Sequence, residues 1–444
     1  MSDKKEVLKP AATVHGGVNP PHRKNTASSP SVIMPSPATV LIPMSQHIGA
    51  ACEPLVSKGD RVYVGSKIGD IDRFVSAPVH SSVSGTVLDI VDFRNQRGAH
   101  CPAVLIESDG ENEPDPTLAP LTVNTPEELA AAARAAGLVG LGGAGFPTHV
   151  KLTKSDKPLD TLIINGAECE PYITADYREC IENPRDIFEG VYLLKKIMGF
   201  ERVIIAIEEN KPEAIRLLTE IAADSLDTDN SVSVMKLKSR YPQGAEKTLI
   251  YTATGRKLPL GKLPADVGCV VMNVTSISML NRFIRTGMPL VSKRITVDGS
   301  AISNPQNVIV PIGTSVGEVI EFCGGLKATP TKILLGGPMM GTAADDTDTP
   351  VLKQNNAILA LTGKDLGGKP ETACIRCGRC IAGCPMRLNP TACESALRRG
   401  DLAAIRELHA DYCIECGSCS FVCPAGRPLT QSMQVCKNTL RSHS

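Results

Sequence analysis

The sequence predicts a multidomain chain of α/β and β units closed by a helical, cysteine-rich domain, and three observations predict it. At 444 residues the chain exceeds what one hydrophobic core sustains. In its middle, short apolar strands such as "TLII" (161–164) and "VVMN" (270–273) run into polar residues and alternate with helical segments, the rhythm of an α/β sheet. Near the carboxyl end, "CIRCGRCIAGCP" (374–385) and "CIECGSCSFVCP" (413–424) carry four cysteines each at one spacing.

Composition narrows the function. Lys plus Arg and Asp plus Glu are 47 each, so no net field points to nucleic acid or an anionic membrane. Tryptophan is absent and aromatic residues make up 3%, which argues against a base-stacking surface. No apolar run is long enough to cross a bilayer, and the start "MSDKKEVLKPAATVHGG" lacks a signal-peptide core, so a cytosolic chain is expected. In that compartment the 16 cysteines are expected as thiols or metal ligands rather than disulfides.

The first 30 residues form an arm. Its stretch "HGGVNPPHRKNTASS" (15–29) has too few apolar residues to fold alone, so it is expected to dock as a hydrogen-bonded strap on another domain or a partner. Residues 31–110 follow, with "VSKGDRVYVGSKIGDI" and "SAPVHSSVSGTVLDI" as short strands around Gly-containing turns. They resemble the barrel-sandwich fold of biotinyl and lipoyl domains. The position of the modified lysine falls in "DRFVS", which has none, so a scaffold is expected and not a swinging arm. A Pro-rich acidic linker (107–128) leads on.

Residues 125–288 hold the candidate binding segments. "GLVGLGGAGFPTHVKL" (137–152) offers glycines that let a backbone approach a ligand and N–H groups that can cradle an anion. "TLIINGAECEPYITADYR" (161–178), "SRYPQGAEKTLI" (239–250) and "VVMNVTSI" (270–277) place polar groups just past strand ends, where open α/β sheets bind ligands. Together these stretches resemble the NADH- and FMN-binding subunit of respiratory complex I. The resemblance implies that Gly142, Gly143, Ala144, Gly145 and Lys151 cradle FMN, with Asn165, Glu168, Tyr241, Gly244, Asn273 and Ser276 completing the flavin site. It also implies that Phe146 stacks on NADH and that Glu168, Glu170 and Glu246 meet its polar groups. Acidic groups at the ribose favour NAD over NADP. The chain departs from the family pattern at Leu141, Leu152, Thr153, Ala167, Ala245 and Met272.

Residues 289–345 alternate as strands around turns and resemble the soluble ligand-binding β-grasp domain that follows the flavin domain in complex I; a rigid spacer is expected. "GGPMMG" (336–341) takes no role from sequence.

The final domain, 366–444, follows from the cysteines. A [4Fe–4S] cube takes three thiolates from a C-x2-C-x2-C loop and a fourth from farther away. In two-cluster ferredoxins the Cys before Pro in each run ligates the other cluster. One cluster is therefore assigned Cys374, Cys377, Cys380 and Cys423, and the other Cys413, Cys416, Cys419 and Cys384. Zinc knuckles pair two C-x2-C units and have no use for a third cysteine three residues on. Between the runs, Asp401 reads as an N-cap with Leu402, Ile405 and Leu408 at helical spacing, as in α-helical ferredoxins.

Taken whole, the order arm, barrel-sandwich, α/β flavin domain, β-grasp and two-cluster ferredoxin resembles the RnfC family, which belongs to the Rnf complexes, the ion-translocating ferredoxin–NAD oxidoreductases of bacterial membranes. Some members carry a long Ala/Lys-rich extension, so ending at Ser444 is expected to mark a short form. The resemblance implies a peripheral subunit at the cytoplasmic face of the membrane, docked on membrane and iron–sulfur partners. It would pass electrons between NADH, FMN and two [4Fe–4S] clusters, with ferredoxin reached indirectly through the complex. No side-chain acid or base is needed for hydride transfer, so none is named. Two alternatives remain: a cobalamin reductase of bacterial microcompartments, which shares the flavin domain and both clusters, and a non-catalytic electron-transfer scaffold, suggested by Leu141 and Ala245.

Overall fold

Four apolar strands, Thr161–Gly166, Arg202–Glu208, Val232–Leu237 and Cys269–Asn273, pair as one all-parallel sheet. A computed structural model of the chain describes residues 7–96, 98–143, 145–153, 157–224, 231–367 and 370–443. Along these strands the side chains alternate between two apolar layers. Leu162 and Ile164 join the core with helices Pro126–Ala135, Pro184–Met198 and Val274–Thr286; Ile163 joins the opposite one with helix Glu246–Thr254. Covering both faces is why the strands read as continuous Val, Ile and Leu. Each fully buried Leu or Ile contributes on the order of 2 kcal/mol.

In space the strand order is 232–237, 202–208, 161–166, 269–273. The chain thus leaves its first strand to one side and later returns to the other. This puts a crevice between the carboxyl ends of Thr161–Gly166 and Cys269–Asn273, where Asn165 and Asn273 lie in register.

The segment before the linker builds two small antiparallel sheets around a core that includes Val40, Ile42, Ile68, Val79 and Ile106, the expected sandwich. The 72–76 segment, where the resemblance puts a carrier lysine, is docked: Phe74 accepts a hydrogen bond on its carbonyl from His149 Nε2 (2.9 Å).

The β-grasp sheet has six strands and draws from outside the 289–345 segment. Ala357–Leu361 completes its interior, and Ser31–Ile33 pairs along Gln306–Pro311 instead of joining the barrel-sandwich. Parallel pairing of distant segments leaves no local sequence signal, which explains both boundary shifts. Arg294 binds Glu179 (3.2 Å) and Glu182 (3.1 Å) of the parallel-sheet domain, so the two domains are joined by a largely buried ion network. Lys353 Nζ donates to Pro78 O (2.6 Å) and Gly137 O (2.8 Å), tying three domains at one point.

In the carboxyl domain, helices Pro390–Arg398, Leu402–Glu407 and Leu429–Ser442 pack around Cys393, Ile405, Met433 and Cys436. Asp401 caps its helix as expected, accepting from Ala404 N (3.0 Å). The arm is a strap: Leu8 bonds along the edge of the parallel sheet, and Asn25 and Thr26 reach the β-grasp domain.

Candidate functional site

The glycine loop closes over the crevice. Gly140 N donates to Phe146 O (2.9 Å), pinching the loop at its base, and Gly142 and Gly143 stay exposed at its crown. A Cβ on Gly142 would lie 2.5 Å from Asn273 Nδ2, so a larger residue would have to push the Asn273 amide aside for the loop to sit this low over the strand end. Ser276, in the first turn of the next helix, accepts from Leu141 N and donates to Val139 O (both 3.3 Å), so its hydroxyl positions the loop. Ala144 lies outside the described residues.

Asn273 is an N-cap, its Oδ1 accepting from Thr275 N (2.9 Å) and Ser276 N (3.3 Å) while Nδ2 donates to Asp176 (2.7 Å). Asn165 Nδ2 donates to Gly244 O (2.9 Å), which holds the 241–246 segment against the strand end. Lys151 Nζ bridges Glu246 (2.9 Å) and Val271 O (3.0 Å) at the same end of the sheet. Gly142, Gly143, Lys151, Asn165, Gly244, Asn273, Ser276 and Glu246 are therefore brought together, with a half-buried Phe146 at the loop base.

Glu168 and Glu170 are placed differently from the sequence expectation, which had their carboxylates meeting a ligand. Glu168 is 6% exposed, and its Oε1 accepts from Asp176 N (2.8 Å) at the start of helix Ala175–Glu182. Burial raises its pKa. Glu170 accepts from Met339 N (3.0 Å) and Tyr241 OH (3.4 Å), and burial pushes it up to about 7 despite the Met339 and Met340 N–H groups. Both carboxylates are occupied within the protein, Glu168 by the start of the next helix and Glu170 by a turn 169 residues on.

Three features had no sequence signal. Asp176 joins Asn273 and Thr275 Oγ1 (2.7 Å each) at the crevice floor. The barrel-sandwich reaches the flavin loop through Ile48 N donating to Gly145 O (3.1 Å). The "GGPMMG" turn covers Glu170, and its Met339 packs in an apolar cluster with Val18, Cys169, Tyr241, Ile414, Cys416 and Val422. Beneath the 168–173 loop Lys24, half-buried, donates its Nζ to the carbonyls of Glu168 (2.8 Å), Glu170 (2.8 Å) and Ile173 (2.5 Å). Burial, then repulsion from Lys211, lowers Lys24 to about 8.

The cysteines fall into two groups. Cys384, Cys413, Cys416 and Cys419 line one pocket walled by Pro385, Met386, Leu388, Ile414 and Met433. Cys380 and Cys423 pack in one cluster with Leu429 and with Cys419, which the two sites share as a neighbour, while Cys374 and Cys377 are exposed. The fourth cysteine of each run thus lies with cysteines of the other run. Backbone N–H groups point at sulfur: Arg376 N to Cys374 (3.4 Å), Leu388 N to Cys384 (3.4 Å) and Glu415 N to Cys413 (3.3 Å). Such donors stabilise thiolates and tune a bound cluster.

Comparison with known proteins finds four family matches along the chain. Residues 12–111 match the RnfC barrel sandwich hybrid domain, 133–282 the Nuo51 FMN-binding domain, 294–343 the SLBB domain and 372–427 the 4Fe-4S dicluster domain. The chain is 45% identical over 381 residues to the C subunit of the proton-translocating ferredoxin:NAD(+) oxidoreductase complex of Clostridium ljungdahlii, covering 85% of this chain and 82% of that one. It is 43% identical over 385 residues to the C subunit of the Na(+)-translocating ferredoxin:NAD(+) oxidoreductase complex of Acetobacterium woodii, covering 85% and 86%. It is 39% identical over 434 residues to the C subunit of the ion-translocating oxidoreductase complex of Rhodobacter capsulatus, covering 96% and 83%.

Proposed function

The chain belongs to the RnfC family, the C subunits of ion-translocating ferredoxin:NAD(+) oxidoreductase complexes, and from that premise we propose how its residues carry electrons. It is an electron-transfer subunit with an FMN domain and a two-cluster [4Fe–4S] domain. No helix among the described residues is long and apolar enough to cross a membrane, and the membrane association comes through the partner subunits of the complex. We place the docked chain on the cytoplasmic face, where NADH is available.

FMN, when bound, converts a two-electron hydride into the single electrons that iron–sulfur clusters take. We assign its phosphate to the Gly142–Gly145 backbone and to Lys151, which would exchange its ion pair with Glu246 for the ligand. Asn165, Gly244, Asn273 and Ser276 shape the crevice floor. Phe146 and Glu246, a partly exposed carboxylate paired with Lys151, are assigned to NADH. Glu168 and Glu170 act as positioning residues through the loop they brace, and Tyr241 forms the wall toward the clusters.

We assign Cys413, Cys416, Cys419 and Cys384 to an inner cluster and Cys374, Cys377, Cys380 and Cys423 to an outer one. The observation that carries the route is the apolar cluster of Tyr241, Cys169, Met339 and Cys416, which joins the flavin crevice to the inner cysteine pocket. The outer site, beside exposed Ile375, Ile381 and Phe421, faces a partner. The test is the visible spectrum of anaerobically purified protein before and after NADH. Bleaching of both flavin and iron–sulfur bands is expected. A spectrum with both cofactors that NADH leaves unchanged would favour the scaffold reading.

A further inference from the structure

The arm residues Gly16, Gly17 and Val18 lie between the two redox sites. Val18 and Tyr241 exchange backbone hydrogen bonds, Val18 N to Tyr241 O (2.7 Å) and Tyr241 N to Val18 O (2.9 Å). On the other side Gly17 N donates to Gly383 O (2.9 Å), the residue before Cys384. The Val18 side chain, 5% exposed, packs in the same cluster as Tyr241 and Cys416.

The two glycines are required by this closure, and for two reasons each. Gly16 has φ +76°, and a Cβ there would lie 2.5 Å from Cys384 O. Gly17 has φ +78°, and a Cβ there would lie 2.6 Å from Tyr241 O. Both obstacles are backbone atoms, which cannot swing aside as a side chain tip can. One glycine therefore abuts the ferredoxin domain and its neighbour abuts the flavin domain. Downstream, Lys24 pins the arm by three carbonyls of the loop that carries Glu168 and Glu170, so the strap cannot slide.

We propose that the Gly16–Val18 bridge is a positioning element for electron transfer, holding the inner cysteine pocket at a fixed separation from the flavin crevice. This rests on the cofactor assignment above. The step it serves moves one electron from reduced flavin to the inner cluster, which is reduced as the flavin is oxidised; NADH supplies the electrons and the bridge itself exchanges no atoms. Electron transfer weakens steeply with separation, so a bridge that sets the spacing sets the rate without touching substrate.

The test uses the full chain with Gly16→Ala and Gly17→Ala, and Gly59→Ala as a control for backbone strain. Gly59 has φ +93° and nothing within 4 Å of where a Cβ would stand, so it shares the strain but not the contacts. Electron flow is started by photoreducing the flavin with light and EDTA, which bypasses the NADH site and keeps a failure of the NADH assignment distinguishable. Flavin and iron contents and flavin-to-dye reduction are expected to match the unsubstituted protein. Flavin-to-cluster transfer is expected to slow by roughly tenfold or more in the two arm variants and not in the control, as small misplacements do at other reacting sites. Unchanged cluster reduction in both arm variants would overturn the proposal. Should the variants not fold, hydrogen exchange on the unsubstituted protein decides: protection of the Gly17, Val18 and Tyr241 amides at the level of the parallel-sheet core supports the bridge, and exchange as in a free strand refutes it.

Discussion

The two cysteine sites are made from one sequence pattern and live in opposite surroundings. Arg376 and Glu415, at like positions, both have φ +56°, and Gly378 and Gly417 follow at +72° and +78°. Local chemistry alone produces these turns, since each N–H at the strained position donates to the sulfur two residues back. Yet Ile375 is 67% exposed, whereas its counterpart Ile414 packs beside Val18, Tyr241 and Cys416. The outer site meets solvent and the inner one meets the flavin domain. The difference teaches that a repeat specifies a ligand loop, while what docks on that loop gives each copy its place in a route.

The sharpest way to break the comparison is Cys384→Ser. Because this cysteine lies in the first run but lines the inner pocket, the substitution is expected to remove the inner cluster and leave the outer one. Electron paramagnetic resonance of the dithionite-reduced protein reads this directly. Loss of the outer signal instead would mean that each run keeps its own fourth ligand.

Next is pH, because each side holds a buried carboxylate and the two are shifted in opposite directions. Glu170, beneath Met339 on the inner side, sits at about 7 instead of its ordinary 4.5 because of burial. Below 4.5 it is protonated in both folded and unfolded chains. As pH rises to about 7 the unfolded chain ionises first, so this group withdraws about 3 kcal/mol of stability, lost by pH 7 and level above it. Glu394, on the outer side, is also buried, which alone would raise it, but bidentate bonds from Arg427 (2.7 and 2.8 Å) and Arg398 hold it below the usual range. Its contribution is present at neutral pH and lost as pH falls through its folded value. Thermal unfolding across pH 4 to 8 should therefore show Glu170→Gln flattening the neutral limb and Glu394→Gln the acid limb. A Glu170→Gln profile that parallels the parent at every pH would contradict the first sign.

A smaller effect separates the flavin crevice from both cysteine sites. Lys151→Ala is expected to weaken FMN binding by about 2 kcal/mol, the scale of a charge-assisted hydrogen bond. Fluorescence titration of the flavin-free protein measures it, and the iron content of both sites should stay at the parent level. The smallest effect probes the repeat itself. Ile414→Ser is expected to cost about 1 to 2 kcal/mol and Ile375→Ser less than about 0.5, measured as unfolding midpoints of the purified chain. Equal costs would mean that the two loops share one environment after all.

Much of this molecule was legible in residues. The paired runs marked the cysteine loops that the structure builds as like turns, and Asn165 and Asn273 marked strand ends that lie in register. Less legible was where backbone beyond the segment claims a side chain: Glu168 accepts from Asp176 N and Glu170 from Met339 N. The sequence reading also missed Asp176, whose place at the crevice floor depends on helix Ala175–Glu182 meeting a strand nearly a hundred residues later.

By itself the sequence determined what is local: the cysteine spacing, the glycine loop, the helix caps and the alternation that assigns each strand its faces. Those depend on dihedral preferences and on hydrogen bonds within a few residues. Only the tertiary structure decided which cysteine loop is buried, which acids are buried, and that the arm's Gly16 and Gly17 stand between two domains. Those depend on which surfaces exclude water together, and contacts between segments hundreds of residues apart leave no periodicity along the chain for a reader to find.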